Sequence, residues 1–376
     1  MLFVFQSGEN CQLCLSEPDS RSTFIKDDMI IRSQNLNESQ EDAVSSCVSM
    51  MNCNHADIKL IWGPPGTGKT KTVACLLFSL LKLQTRTLTC APTNTAILQV
   101  ASRLNRLVMD SLEHDTYSLA DIVLFGNGKR MKFSSHQGLV KFFLDYRVEN
   151  LMECFDPNTG WKTNLLSMIQ LLKSMEKSAN KKESSEVFEY KQKFVQQKEK
   201  LEFLMQTLYT HMPTSLISLE MVKKMFQALD LLKSLGISIG QAKFKKRDES
   251  IPAYFQLLYV KRDECLSILS SLSETVSLPN FETDMRGGTK RVQVEKICLS
   301  KACLVLCTVS SSIKLINTTS WLKPVQFLVI DEAAQLKECE LAIPLHQLHG
   351  LRRCILIGDE RQLPALVKSK VLDHWI

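Results

Sequence analysis

The chain has 376 residues, 44% hydrophobic and 23% charged, with 46 basic against 40 acidic side chains and a net charge of +6. That content excludes a disordered chain and is enough for a core that needs no staples, in two domains or in one with a large insertion. The mild positive balance suits a polyanionic partner without approaching the density of a basic tail.

The opening Met-Leu-Phe-Val-Phe is too short for a signal-peptide core and has no basic n-region. Residues 1–36 are then polar, and an irregular segment is expected. Ala43, Val44, Cys47, Val48 and Met51 recur at helical spacing. Ile58–Trp62 reads as a short buried strand, followed by a Gly/Pro loop and a helix to about Leu83. A second strand spans Arg86–Ala91 and ends at Pro92, a helical period covers Thr93–Met109, and Asp121–Phe125 reads as a third strand. This alternation predicts an α/β fold with a doubly wound parallel sheet and right-handed crossovers. The strand pattern resumes at Leu304–Cys307, Phe327–Ile330 and Cys354–Ile357.

Between the halves, Lys, Glu, Gln, Leu and Met dominate and strand-like runs largely vanish. Long amphipathic helices divided at Pro213, Pro252 and Pro279 are the economical reading. The expected organisation is therefore an N-terminal irregular segment (1–36), the first part of an α/β domain (37–135), a helical insertion (136–298) and the second part of that domain (299–376). No apolar run approaches the ~20 residues of a membrane span, so a soluble intracellular protein is expected, in nucleus or cytoplasm.

Gly63-Pro64-Pro65-Gly66-Thr67-Gly68-Lys69-Thr70 fits the phosphate-loop pattern at every fixed position and lies between a buried strand and a helix. Glycines let the backbone wrap phosphate oxygens, and the loop N–H groups form an anion nest at the helix N-terminus. Lys69 supplies positive charge to the β- and γ-phosphates of ATP, and the Thr70 hydroxyl is a ligand for Mg²⁺.

Phe327–Ile330 runs into Asp331-Glu332-Ala333-Ala334, which places a carboxylate pair at the sheet's C-terminal edge beside that loop. Asp331 is the expected Mg²⁺ holder, and Glu332 the group that orients or deprotonates the attacking water. One strand later, Gly358-Asp359-Glu360-Arg361-Gln362 offers Gln362 as a sensor of the γ-phosphate.

The thirteen cysteines follow no regular framework; Cys75, Cys90, Cys303 and Cys307 sit among apolar neighbours and read as reduced thiols. Cys11 and Cys14 form a lone CxxC, and His346 and His349 lack a HExxH pattern, so neither pair reads as a zinc site.

Taken in order, Leu36–Gln40, the loop at 63–70, Cys90–Ala96, Leu124–Asn127, Cys307–Ser311, Asp331–Gln335 and Gly358–Val367 resemble a superfamily 1 helicase. The branch is the one containing senataxin and the nonsense-mediated-decay helicase, with plant senataxin-like members most alike. The resemblance implies a RecA-like core whose helical insertion stands where the family carries an accessory subdomain. It implies that Gln40 reads adenine and that Pro92, Thr93 and Asn94 grip a single strand of RNA or DNA. Thr308 and Ser310 are further expected strand contacts, against the alternative that both threonine segments cap helices. Lys129, Arg130 and Lys132 are candidates for non-specific phosphate contacts, as are Lys243, Lys245, Lys246 and Arg247.

Only residues 368–376 follow Val367, where the family's second motor domain, with its arginine fingers, is expected. The sequence thus predicts an ATP-dependent helicase-type ATPase domain with weak turnover alone: either a fragment or shortened product, or a chain whose missing half comes from another chain. Two alternatives stay open: a non-catalytic, nucleotide-gated nucleic-acid-binding regulator, and an oligomeric ATPase that borrows an arginine from its neighbour.

Overall fold

A computed structural model describes residues 2–7, 35–52, 56–131, 136–179, 184–241, 253–275, 289–317, 324–347 and 351–361. The chain divides into two compact units. Unit 1 comprises 1–115, 119–146 and 295–376; unit 2 comprises 116–118 and 147–294.

Unit 1 is built on a seven-stranded sheet in the order β1-β2-β7-β6-β3-β5-β4. The strands are β1 (Phe3–Ser7), β2 (Asp57–Trp62), β3 (Thr87–Ala91), β4 (Ile122–Leu124), β5 (Leu304–Thr308), β6 (Phe327–Ile330) and β7 (Arg353–Gly358). All neighbouring pairs are parallel except β1 with β2. This is the α/β architecture of a RecA-like phosphate-loop domain.

The sequence expectation missed β1. Phe3 pairs with Trp62 across the antiparallel ladder and their rings lie 5.3 Å apart. The aromatic and β-branched run Phe3-Val4-Phe5 favours an edge strand even beside a polar segment. The remainder of the 1–36 segment, apart from Asn35 and Leu36, lies outside the described residues.

Helix α1 (Glu38–Ser49) opens with a capping box, in which the Asn37 side chain accepts from the Gln40 amide and the Gln40 side chain accepts from the Asn37 amide. Helix α2 (Lys69–Lys82) follows the phosphate loop, and α3 (Asn94–Asp110) follows β3. Residues of all three helices share one core with Ile61, Val329, Ile355, Ile357, Leu304 and Leu306 on a single sheet face. Alternation explains the sharing, because successive residues of a strand point to opposite faces. The short helix α4 (Gly128–Met131) follows β4, and α5 (Leu144–Cys154) crosses from unit 1 into unit 2.

The chain steps from β2 to β3 to β4 through α2 and α3, then returns from β5 to β6 to β7. The return runs through α11 (Val309–Asn317) and α12 (Glu338–Gln347). Right-handed crossovers in opposite directions put the two helix sets on opposite faces of the sheet.

In unit 2, α6 (Trp161–Ala179), α7 (Ser184–His211), α8 (Leu219–Gln241) and α9 (Ala253–Thr275) pack in a ring: α6 on α7, α7 on α8, α8 on α9, and α9 on α6. Leu172, Leu204, Leu232 and Leu269 lie in its fully buried interior. α10 (Lys290–Lys301) leads back into β5. Pro213 separates α7 from α8; Pro252 and Pro279 lie outside the described residues.

Candidate nucleotide site

Strand β2 delivers the chain to Gly63, and the loop turns through Gly66 (φ +82°) and Gly68 (φ +84°) before α2 begins. Both angles lie in the left-handed region that glycine enters at little cost. The loop is braced from within and from outside. Thr67 Oγ1 donates to the Pro64 carbonyl at 2.8 Å, and the Gln40 side-chain amide donates to the Thr67 carbonyl at 2.9 Å. A Cβ on Gly63 would meet Thr67 Oγ1 at 2.7 Å and the Leu2 side chain, so either neighbour would have to shift to admit it.

Lys69 is buried, and its Nζ donates to the Gly63 carbonyl at 2.6 Å and the Pro64 carbonyl at 3.3 Å. The ammonium thus sits inside the loop that would wrap a phosphate, held by the loop's own carbonyls. Thr70 follows in the first turn of α2, half-buried.

Asp331 leaves the end of β6 with its backbone N–H bonded to the Cys90 carbonyl at 2.9 Å. The residue is 2% exposed, and its Oδ1 has no hydrogen-bond partner. Burial, reinforced by the Glu332 carboxylate, pushes its pKa up to about 7, while Lys69 pulls the other way. A buried carboxylate with an orphaned oxygen near a lysine fits a divalent cation held together with phosphate oxygens. Mg²⁺ would be held by Asp331 and Thr70. Among the described residues no group of three His, Cys, Asp or Glu side chains is placed to hold a metal ion.

Glu332 adopts φ 53°, ψ 39°, the left-handed region that a non-glycine residue enters at a cost. Its Oε2 accepts from the Gln335 side-chain amide at 3.1 Å. Sequence reasoning gave Gln335 no role. The signal was its i+3 spacing from Glu332 inside the same short motif. Gly358, at the end of β7, lies so close to this turn that a Cβ there would stand 3.1 Å from the Ala334 N and 3.3 Å from the Ala333 N. Asp359 is buried, and its Oδ1 accepts from the Arg361 N–H at 3.0 Å. Gln362 lies outside the described residues.

The expected strand-gripping residues emerge side by side, since β3 and β5 are paired with Ala91 opposite Thr308. Pro92, Thr93 and Asn94 form the β3–α3 junction, and Thr308 and Ser310 the β5–α11 junction. Both threonines cap helices. Thr93 Oγ1 accepts from the Ala96 N–H at 3.2 Å, and Thr308 Oγ1 from the Ser311 N–H at 3.3 Å. Thr93 and Ser310 remain exposed, as do Lys129 and Arg130 in the short helix α4 after β4. Lys132 and the cluster at 243–247 lie outside the described residues, as do Cys11, Cys14 and His349.

A family model described as "AAA domain" matches residues 35–370. The chain belongs to this family. It shares 27% identity over 353 residues with "Helicase sen1" of Schizosaccharomyces pombe, covering 89% of this chain and 17% of that protein. With the human "Probable helicase senataxin" it shares 24% over 372 residues, 92% of this chain and 11% of that protein. A shorter stretch of 78 residues is 40% identical to "ATP-dependent helicase upf1" of S. pombe, covering 19% of this chain and 8% of that protein. These relatives place the AAA-domain chain in the superfamily 1 branch of senataxin and the nonsense-mediated-decay helicase. The chain spans less than a fifth of each of these relatives.

Proposed function

We propose that this region binds Mg·ATP and is the nucleotide-hydrolysing part of a nucleic-acid-dependent motor acting on single-stranded RNA or DNA. The observation that carries the reading is the pairing of Lys69, clasped inside a complete phosphate loop, with the buried, orphaned carboxylate of Asp331.

Each residue then has a task. Lys69 exchanges two loop carbonyls for β- and γ-phosphate oxygens, while the N–H groups at the start of α2 take the remaining charge. Asp331 and Thr70 hold Mg²⁺, which when bound neutralises charge developing on the phosphate oxygens. Glu332, fixed by Gln335, orients the attacking water and accepts its proton. Gln40 contacts adenine, and Gln362 senses the γ-phosphate. Pro92, Thr93, Asn94, Thr308 and Ser310 face the strand, holding its backbone without reading its sequence. Unit 2 serves as an accessory subdomain. Arginine fingers, which the resemblance attributes to a second motor domain, would stabilise charge on the γ-phosphoryl group during transfer.

Titration calorimetry with ATP tests the reading. Binding should depend on Mg²⁺ and fall at least about 100-fold in Lys69→Ala, as loss of a charge-assisted contact implies. Asp331→Asn should retain ATP binding and lose its Mg²⁺ dependence. ATP affinity unchanged in Lys69→Ala would contradict it.

A further inference from the structure

Strands β2, β7 and β6 lie side by side and parallel, so the chain leaving β7 emerges between the phosphate loop and the carboxylate turn. It touches both. On the β6 side, Gly358 packs against the backbone of Ala333 and Ala334, the two residues after Glu332. On the β2 side, the register partner of Gly358 is Trp62, which directly precedes Gly63. The Arg361 guanidinium stands over the Trp62 ring, 5.6 Å from its centre. A short turn aims it there, since the Arg361 N–H donates to the Oδ1 of buried Asp359 at 3.0 Å. Glu360 Oε1 lies 4.0 Å from Arg361 Nε with both side chains largely exposed, so it competes weakly for the cation. The indole is half-buried, and its Nε1 has no hydrogen-bond partner. Contacts on the ring, with Arg361 and with Phe3, stand where a polar anchor would.

We propose that Arg361 and Trp62 are positioning residues that tie the loop after β7 to the phosphate loop and transmit nucleotide loading to the carboxylate turn; this rests on the reading of Lys69 as the phosphate ligand. A continuous run of contacts carries the coupling. Lys69 Nζ holds the Gly63 carbonyl, Gly63 is bonded to Trp62, and the Trp62 ring carries Arg361. From there the same short loop reaches Ala333 and Ala334 through Gly358. The two-state element is the lysine. Without phosphate it donates to the Gly63 carbonyl at 2.6 Å; phosphate oxygens draw it away and free the peptide beside Trp62. Arginine suits the contact because its flat guanidinium stacks on a ring, whereas lysine at 361 would keep the charge and lose the planar contact.

Tryptophan emission and phosphate release on residues 1–376 test the tie. Emission from Trp62 is isolated as the difference between the chain and Trp62→Phe. A non-hydrolysable β,γ-imido ATP analogue with Mg²⁺ should change that emission. Arg361→Ala should reduce the change at least about twofold, while calorimetric affinity for the analogue stays within about twofold. In phosphate release with single-stranded RNA or DNA, Arg361→Ala should lower kcat about two- to fivefold with KM for ATP nearly unchanged. Arg361→Lys should recover part of the loss. Trp62→Leu should lower kcat to a similar degree, and the two changes combined should be no worse than either alone. A pair that merely supports the fold would lower stability in urea and leave the emission change and the kcat–KM split unmoved. Trp62 emission indifferent to the bound analogue overturns the proposal, as does a response that Arg361→Ala leaves intact or kcat losses that multiply in the double variant. Failure of the nucleotide reading looks different: the analogue does not bind, or binds Lys69→Ala as tightly, and the coupling falls with it.

Discussion

Asp331 carries the clearest electrostatic signature at the residue scale. Its pKa lies near 7, against an ordinary value of 3.8. Between those two values the folded chain holds a proton that the unfolded chain has released. Asp331 therefore contributes stability that is full below about pH 4 and is lost as pH rises toward 7. Chemical denaturation from pH 4.5 to 7.5 should show that decline, and Asp331→Asn should flatten it. Mg²⁺ requires the deprotonated form, so its apparent affinity in the presence of ATP should rise about tenfold per pH unit below 7 and level off above. Glu332 makes a second prediction. Gln335→Ala frees its carboxylate, and kcat for ATP should drop about tenfold with KM nearly unchanged, as expected for a base that loses its orientation but not its chemistry. An equal change in KM would show that Gln335 acts on binding instead. Lys69, Thr70, Asp331 and Glu332 were all legible in the sequence, because a strand, a loop and an acid in fixed order imply their placement. The lysine's clasp on two loop carbonyls was not, since it depends on loop conformation.

Loops between strands and helices carry the site, and elements are held in register by contacts that reach across long sequence gaps. Buried Lys59 of β2 donates to the Ser46 hydroxyl of α1 at 2.7 Å. Arg353 of β7 donates to the carbonyls of Met50 and Met51, at 2.7 and 3.1 Å, just past the end of α1. Such partners have no periodic signature and are invisible until the sheet order is known. The sheet order itself was beyond the sequence, although six of its seven strands were located to within about a residue or two. Helix caps were legible in kind: Thr93 precedes a helical period as N-caps do. Thr93→Ala should cost about 1 kcal/mol in urea denaturation, and Thr93→Ser should recover most of it. The same pair separates capping from strand contact, because a purely capping role leaves single-strand affinity unchanged once folding is accounted for. At the β7 end, Gly358→Ala pushes against the backbone of Ala333 and Ala334, and a loss of about 1–3 kcal/mol is expected.

The whole molecule joins a sheet-based unit to a helical one, and long-range burial decides what each half exposes. Of the described cysteines, only Cys339 is exposed. Burial pushes the Cys47, Cys154, Cys303 and Cys354 thiols up to about 12, and Cys75 to about 11. Such thiols are poor nucleophiles. Brief iodoacetamide treatment should therefore label Cys339 well before the buried ones; comparable labelling of Cys90 or Cys307 would mean that the sheet opens readily. Among the described residues no helix is long and apolar enough to cross a membrane. Family membership was readable because seven motifs recur in a set order, whereas the packing of α6–α9 into a ring depends on contacts between distant helices. The central claim is that this chain couples a nucleotide site to a strand-binding edge. Phosphate release by residues 1–376, with and without single-stranded RNA or DNA and beside Lys69→Ala, tests it most directly. The account predicts release that rises with the added strand and vanishes in Lys69→Ala. Release indifferent to the strand, or persisting without the lysine, would contradict it.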